Sequence, residues 1–99
     1  MINIIAIHME VDGSNHLEHI AKLRWSKASK AGERATANPK DATRAEMYKF
    51  VKENPKQAFA ISQNDDTYAY LEAVNAHVQY VKTIPDSTKN DNLLSLPRF

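Results

Sequence analysis

Six cations and one indole crowd a short stretch of this chain. Lys22, Arg24, Lys27, Lys30, Arg34 and Lys40 fall within 19 residues, Trp25 lies among them, and only Glu33 opposes them before Asp41. Cations neutralise phosphates and an aromatic ring stacks on a base, so the stretch fits a nucleotide or a single-stranded nucleic acid. The candidate ligand residues are Lys22, Arg24, Trp25, Lys27, Lys30 and Arg34. A helix start at Thr43-Arg44 follows closely and offers N–H donors of the kind that hold a phosphate. The competing reading is plain: lysines in a loop are usually solvated, and a tryptophan at a strand end usually packs.

Tyr68, Tyr70 and Tyr80 form the second candidate. All three occupy even positions of neighbouring strand-like runs, so they can share one sheet face. If a helix covers the other face, these rings form an interface for a protein partner or a second copy. If the helix covers theirs, they are core, and Phe59 and Ile61 compete for that side.

Other chemistry lacks its constellation. His16 and His19 are three apart, an odd spacing that sends them to opposite faces of a strand, and nothing requires His8 and His77 to meet. The run Asp86 to Asp91 superficially suggests a calcium loop. It places Asp91 where such a loop needs glycine and Pro97 where it needs glutamate, so a polar turn accounts for it. No serine sits in a glycine-flanked strained turn, and neither glycine belongs to a phosphate-cradling motif. Asp65-Asp66 reads as a solvated turn. The expectation is a non-enzymatic protein without catalytic residue, metal or cofactor.

These groups must be held by one domain spanning residues 1–99. A composition of 42% hydrophobic and 25% charged residues suits a folded chain. The absence of cysteine excludes disulfides and thiolate chemistry and fits a reducing compartment. No apolar run approaches the ~18 residues of a membrane-spanning helix. The opening residues lack a basic leader and cleavage site, so a cytoplasmic location without membrane contact is expected. The net charge of +1 conceals a gradient: residues 22–56 carry ten bases against four acids, while both flanks are acidic. That matters if the bases share a face.

Ile2, Ile4, Ile5 and Ile7 predict a buried strand, and Asp12-Gly13 a hairpin turn into a second strand over His16 to Trp25. His19 and Ile20 break its alternation and point to a register change there. Ser26 to Lys40 reads as a loop. Thr43-Arg-Ala-Glu46 is a capping box that opens the one helix, with Met47, Phe50 and Val51 on its apolar face and Asn54-Pro55 at its end. Three short strands follow, over 57–62, 67–74 and 78–84, joined by a turn at Asn64-Asp65-Asp66 and a reversal at Asn75-Ala76. The fold class is α+β: a bent antiparallel sheet of about five strands in the order β-β-α-β-β-β, one helix, and a C-terminal clasp of Leu93, Leu94, Leu96 and Phe99.

Lys22-Leu-Arg-Trp25, the Thr43-Arg44 helix start, Tyr80-Val-Lys-Thr83, and Asp91-Asn-Leu-Leu-Ser-Leu-Pro97 together resemble the bacterial and phage family catalogued as domain of unknown function 3892. The resemblance covers nearly the whole chain, with a longer and more basic loop at 26–40. It implies a small single-domain cytoplasmic protein, often encoded by phages or mobile elements, and brings no catalytic residue with it. The function expected is a binding module for a protein partner or for its own copy. In a phage or mobile-element setting that would be an accessory or anti-defence factor. The alternative is phosphate-ligand or nucleic-acid binding through residues 22–40.

Overall fold

The structure is a computed structural model and describes residues 1–63, 67–84 and 93–99. The isoleucine run forms β1 (Ile2–Met9), and a turn with Gly13 at φ 74° leads towards β2 (Ile20–Lys27), which returns antiparallel. β2 begins later than expected because Ser14 organises the residues before it. Its Oγ accepts from the His16 N–H at 3.1 Å and meets His19 Nδ1 at 2.7 Å, and Leu17–His19 wind into a single 3-10 turn. The register change foreseen at His19 and Ile20 is present: His8 faces Lys22, but Met9 faces Ile20. A second irregularity lies at Ile5, where Ile4 faces Trp25 and Ala6 already faces Arg24.

The expected loop over 26–40 ends in a further strand, β3 (Lys40–Thr43), which pairs antiparallel with β2. Arg24 and Asp41 lie opposite one another, and their side chains bond in two places at 2.8 and 3.2 Å, which fixes this register. Thr43 is extended and caps α1 (Arg44–Glu53) through the capping box, its Oγ1 accepting from the Glu46 N–H at 3.1 Å. Asn54 ends the helix. β4 (Ala58–Ile61), β5 (Tyr68–Asn75) and β6 (Gln79–Thr83) make the expected antiparallel meander.

Among the described residues, six strands form one sheet in the order β3-β2-β1-β4-β5-β6. The α+β class with a single helix therefore stands, with two corrections. The strands number six, not five, and the sheet is mixed because β4 lies parallel to β1. The helical crossover through α1 lets a parallel neighbour form, which short-connection reasoning does not foresee.

The helix covers one face. Met47, Tyr48 and Val51 of α1 pack over Ile2, Ile4, Ile7, Leu23, Ala58, Ala60, Leu71 and Val81. Small alanines on β4 let the helix approach, while Phe59 and Ile61 point to the opposite, open face. There the segment after β2 lies down on them, with Ala28 and Ala35 against Phe59, Ile61 and Tyr70.

The clasp is real in its leucines. Leu93 and Leu96 are buried in the helix-side core, and Leu94 packs against it. Arg98 makes a parallel bridge to Ile7: the Ile7 N–H donates to the Pro97 carbonyl and the Phe99 N–H to the Ile7 carbonyl, each at 2.9 Å. Phe99 differs from expectation. It is 37% exposed and lies on the open face beneath Arg24, 4.0 Å from the guanidinium carbon to the ring centre. The turns expected at Asn64-Asp65-Asp66 and Asp86 to Asp91 lie outside the described residues.

Candidate functional site

Strand alternation decides which cations can work together. On β2, Leu23, Trp25 and Lys27 face the helix, whereas Lys22 and Arg24 face away. Trp25 is half-buried against the core, opposite Ile4 on one side and Lys40 on the other. Cross-strand partners share a face, so Lys40 sits beside the indole, with Nζ 5.9 Å from the ring centre.

The helix ends before it covers this corner. Beyond Phe50 its last turn stops at Asn54, whose backbone and side-chain N–H groups both donate to the Phe50 carbonyl, at 2.9 and 3.0 Å. The result is a groove of about 710 Å³ between sheet and helix end. Ile2, Trp25 and Phe50 give it an apolar floor, Lys27 and Lys40 are its charged members, and Asn38 and Gln57 complete the walls. No acidic side chain lines it among the described residues. β3 is an edge strand beside the groove, and among the described residues no strand pairs with its outer side.

The six-residue cluster is thus divided. Trp25 and Lys27 meet in the groove. Arg24 is held on the other face by Asp41 and Phe99. The hydrogen bond from Arg24 holds the Asp41 carboxyl below the usual carboxylate range, and the same bond raises the guanidinium. Lys22 is exposed on that same face, and Lys30 is exposed in the loop near Glu33. Glu33 in turn is lowered by bonds from the Ser29 hydroxyl and N–H. Arg34 lines a separate cavity.

A model of the family described as "Protein of unknown function (DUF3892)" matches residues 3–97. The chain belongs to this family. Neither a curated protein nor a solved structure matches it. The family match takes in Trp25, β3, the helix end and the leucines of the tail, while Ile2 of the groove and Phe99 of the clasp lie just outside it. Among the described residues, no helix is long and apolar enough to cross a membrane, and no three His, Asp or Glu side chains gather as metal ligands would.

The tyrosines do share the open face, since Tyr70 pairs with Phe59 and Tyr68 with Ile61, but they do not form one patch. Tyr68 and Tyr70 meet edge to face at 5.7 Å, with Phe59 5.8 Å from Tyr68. Burial, then the neighbouring Tyr68, raises the Tyr70 hydroxyl. Tyr80 pairs with Val74, and the Glu72–Lys82 ion pair, at 3.4 Å, stands between it and the other two. Tyr80 instead lines a hollow with Glu18 and His77.

Sequence reasoning missed Phe50 and Ile2 as groove residues, because their periodicity marks them as core. The available signal was parity. Residues 25 and 27 on one strand share a face, which separates them from 22 and 24.

Proposed function

We propose that this protein is a non-enzymatic binding module that takes an extended segment of a protein partner along β3, with an apolar or aromatic side chain of that segment in the groove at Trp25 and an acidic residue beside it. The observation that carries the reading is the groove itself: an apolar floor of Ile2, Trp25 and Phe50, two lysines, and no acid in its lining among the described residues. A half-buried tryptophan in a groove is the residue type that dominates binding energies at protein interfaces. Lys27 and Lys40 supply charge complementarity for Asp or Glu. A sheet edge adjoining such a pocket is the arrangement used when a peptide adds as a strand.

A phosphate ligand suits the groove less well. Phe50 and Asn54 bring the C-terminal end of α1 to it, where the helix dipole is negative, and this opposes a doubly charged phosphate more than a single carboxylate.

Trp25 is the one tryptophan in the chain, so its emission reports occupancy. Peptides selected from a random display library should carry an apolar or aromatic residue next to Asp or Glu and should shift that emission. Lys27→Glu and Lys40→Glu should each weaken them about tenfold, a change of ~1.4 kcal/mol, without altering the melting temperature. Selected peptides that ignore both reversals would sink the proposal. So would emission that moves only with oligonucleotides or nucleotides at low salt, or a dimer in sedimentation whose formation buries Trp25.

A further inference from the structure

The hydrogen bonds of β1 decide which way the peptide groups of β3 point, and so what a chain laid along that edge can reach. Ile7 spends both its backbone groups on the tail, donating to the Pro97 carbonyl and accepting from the Phe99 N–H. They face away from β2, so Leu23, opposite Ile7, turns its own N–H and carbonyl towards β3. Ala42 stands opposite Leu23 and therefore bonds inwards, as does Lys40 opposite Trp25. Asp41 and Thr43 alternate with them and aim their peptide groups out of the sheet. Thr43 shows this independently: its N–H donates to Glu46 Oε1 at 2.9 Å and not to β2.

Little of that outward row is open to a partner. The capping box occupies the Thr43 N–H. Pro39 has no N–H, and Asn38 before it, at φ 50°, bends the chain out of the strand. Asp41 is exposed and keeps an N–H and a carbonyl that no described residue takes up. The edge thus admits one pair of main-chain bonds.

We propose, resting on the groove at Trp25 as a peptide site, that the partner segment docks antiparallel to β3 through a single residue. The N–H of that residue donates to the Asp41 carbonyl, and its carbonyl accepts from the Asp41 N–H. Antiparallel pairing places both bonds on one partner residue, whereas parallel pairing spreads them over two. Register then dictates sequence. The residue after the paired one stands beside Lys40, on the face of Trp25, and is the groove anchor. The paired residue lies on the other face, next to the Asp41 carboxylate, where an acid meets like charge. The acid attracted by Lys27 and Lys40 therefore follows the anchor and does not precede it. The same rule disfavours a second copy as the occupant, because a two-fold pair centred on Asp41 sets two Asp41 carboxylates side by side.

Two blocked peptides test this on the full chain: acetyl-Thr-Val-Thr-Phe-Glu-Ser-amide, and acetyl-Thr-Val-Glu-Phe-Thr-Ser-amide with the acid moved ahead of the anchor. In the free protein, the Asp41 amide should exchange with solvent faster than that of Ala42. At millimolar concentration the first peptide should shift the Trp25 emission and slow Asp41 exchange, and the second should bind about tenfold less tightly. N-methylation of the residue before Phe should weaken the first peptide about tenfold, while N-methylation of Phe, whose N–H faces away from β3, should change little. Emission that shifts while Asp41 exchange keeps its free rate overturns the strand pairing and leaves the groove reading standing. Equal binding of the two orders, or equal effects of the two methylations, overturns the register. Emission unmoved by both peptides counts against the groove reading itself, and the pairing falls with it.

Discussion

At the scale of the residue, the open face is held by contacts that depend on single atoms. Gly32 takes φ 82°, and a β-carbon built on it would lie 2.8 Å from Cδ1 of the Tyr68 ring. Only glycine meets both conditions without strain, so Gly32→Ala should lower stability by ~1–3 kcal/mol and shift the urea midpoint accordingly. An unchanged midpoint would show that the segment over Tyr68 contributes nothing. Asp41 gives a pH signature. Arg24 depresses its folded-state carboxyl below the ordinary value near about 3.9, so the contribution is full above that value and lost as pH falls through the lower, folded one. Glu33 and Glu46 are shifted in the same direction, by Ser29 and Thr43 respectively. In Asp41→Asn the melting temperature should therefore fall less steeply at the acid end of a pH series, and in the unaltered protein the Asp41 carboxyl should titrate by NMR below the usual range. A carboxyl titrating at its ordinary pH would remove the pairing from solution.

At the scale of the element, what was legible in the sequence was local. The Thr43–Glu46 capping box, the stop at Asn54 and the alternation of the last three strands involve residues a few positions apart, and each stands as read. What escaped was decided at a distance. β3 is a strand because β2 lies beside it, with Asp41 opposite Arg24, and four residues of mixed character carry no pattern of their own. The bases of 22–34 were grouped by their nearness in sequence, whereas the pleat of β2 splits them between two faces. The tail was legible in part: leucines find a core by hydrophobicity alone, but the position of Phe99 depends on where Arg24 stands. Leu93 is fully buried, and Leu93→Ala should cost ~2–5 kcal/mol in denaturant unfolding. A loss under ~1 kcal/mol would mean that the segment is a loose appendage.

At the scale of the whole molecule, the sheet separates two surfaces of different character. The helix side buries the large core and leaves one corner open, where Trp25, Phe50 and Lys40 line the groove. The other side is partly covered by chain segments rather than by a second helix, and the Asn3 cavity lies in that covering. Groove variants should therefore leave the NMR signal of the Asn3 side-chain amide unchanged, because no residue lines both hollows. The topology itself was only half legible. Short links impose antiparallel neighbours, but the docking of β4 alongside β1 follows from helix packing, which no stretch of the chain states by itself.

The bridge between Ile7 and Arg98 joins two residues made 91 positions apart. Chain growth proceeds at roughly 5–20 residues per second, so the central strand waits several seconds on the ribosome with that part of its border unpaired. A nascent chain stalled before Leu93 would present an open strand border to whatever chaperone or neighbouring chain is near.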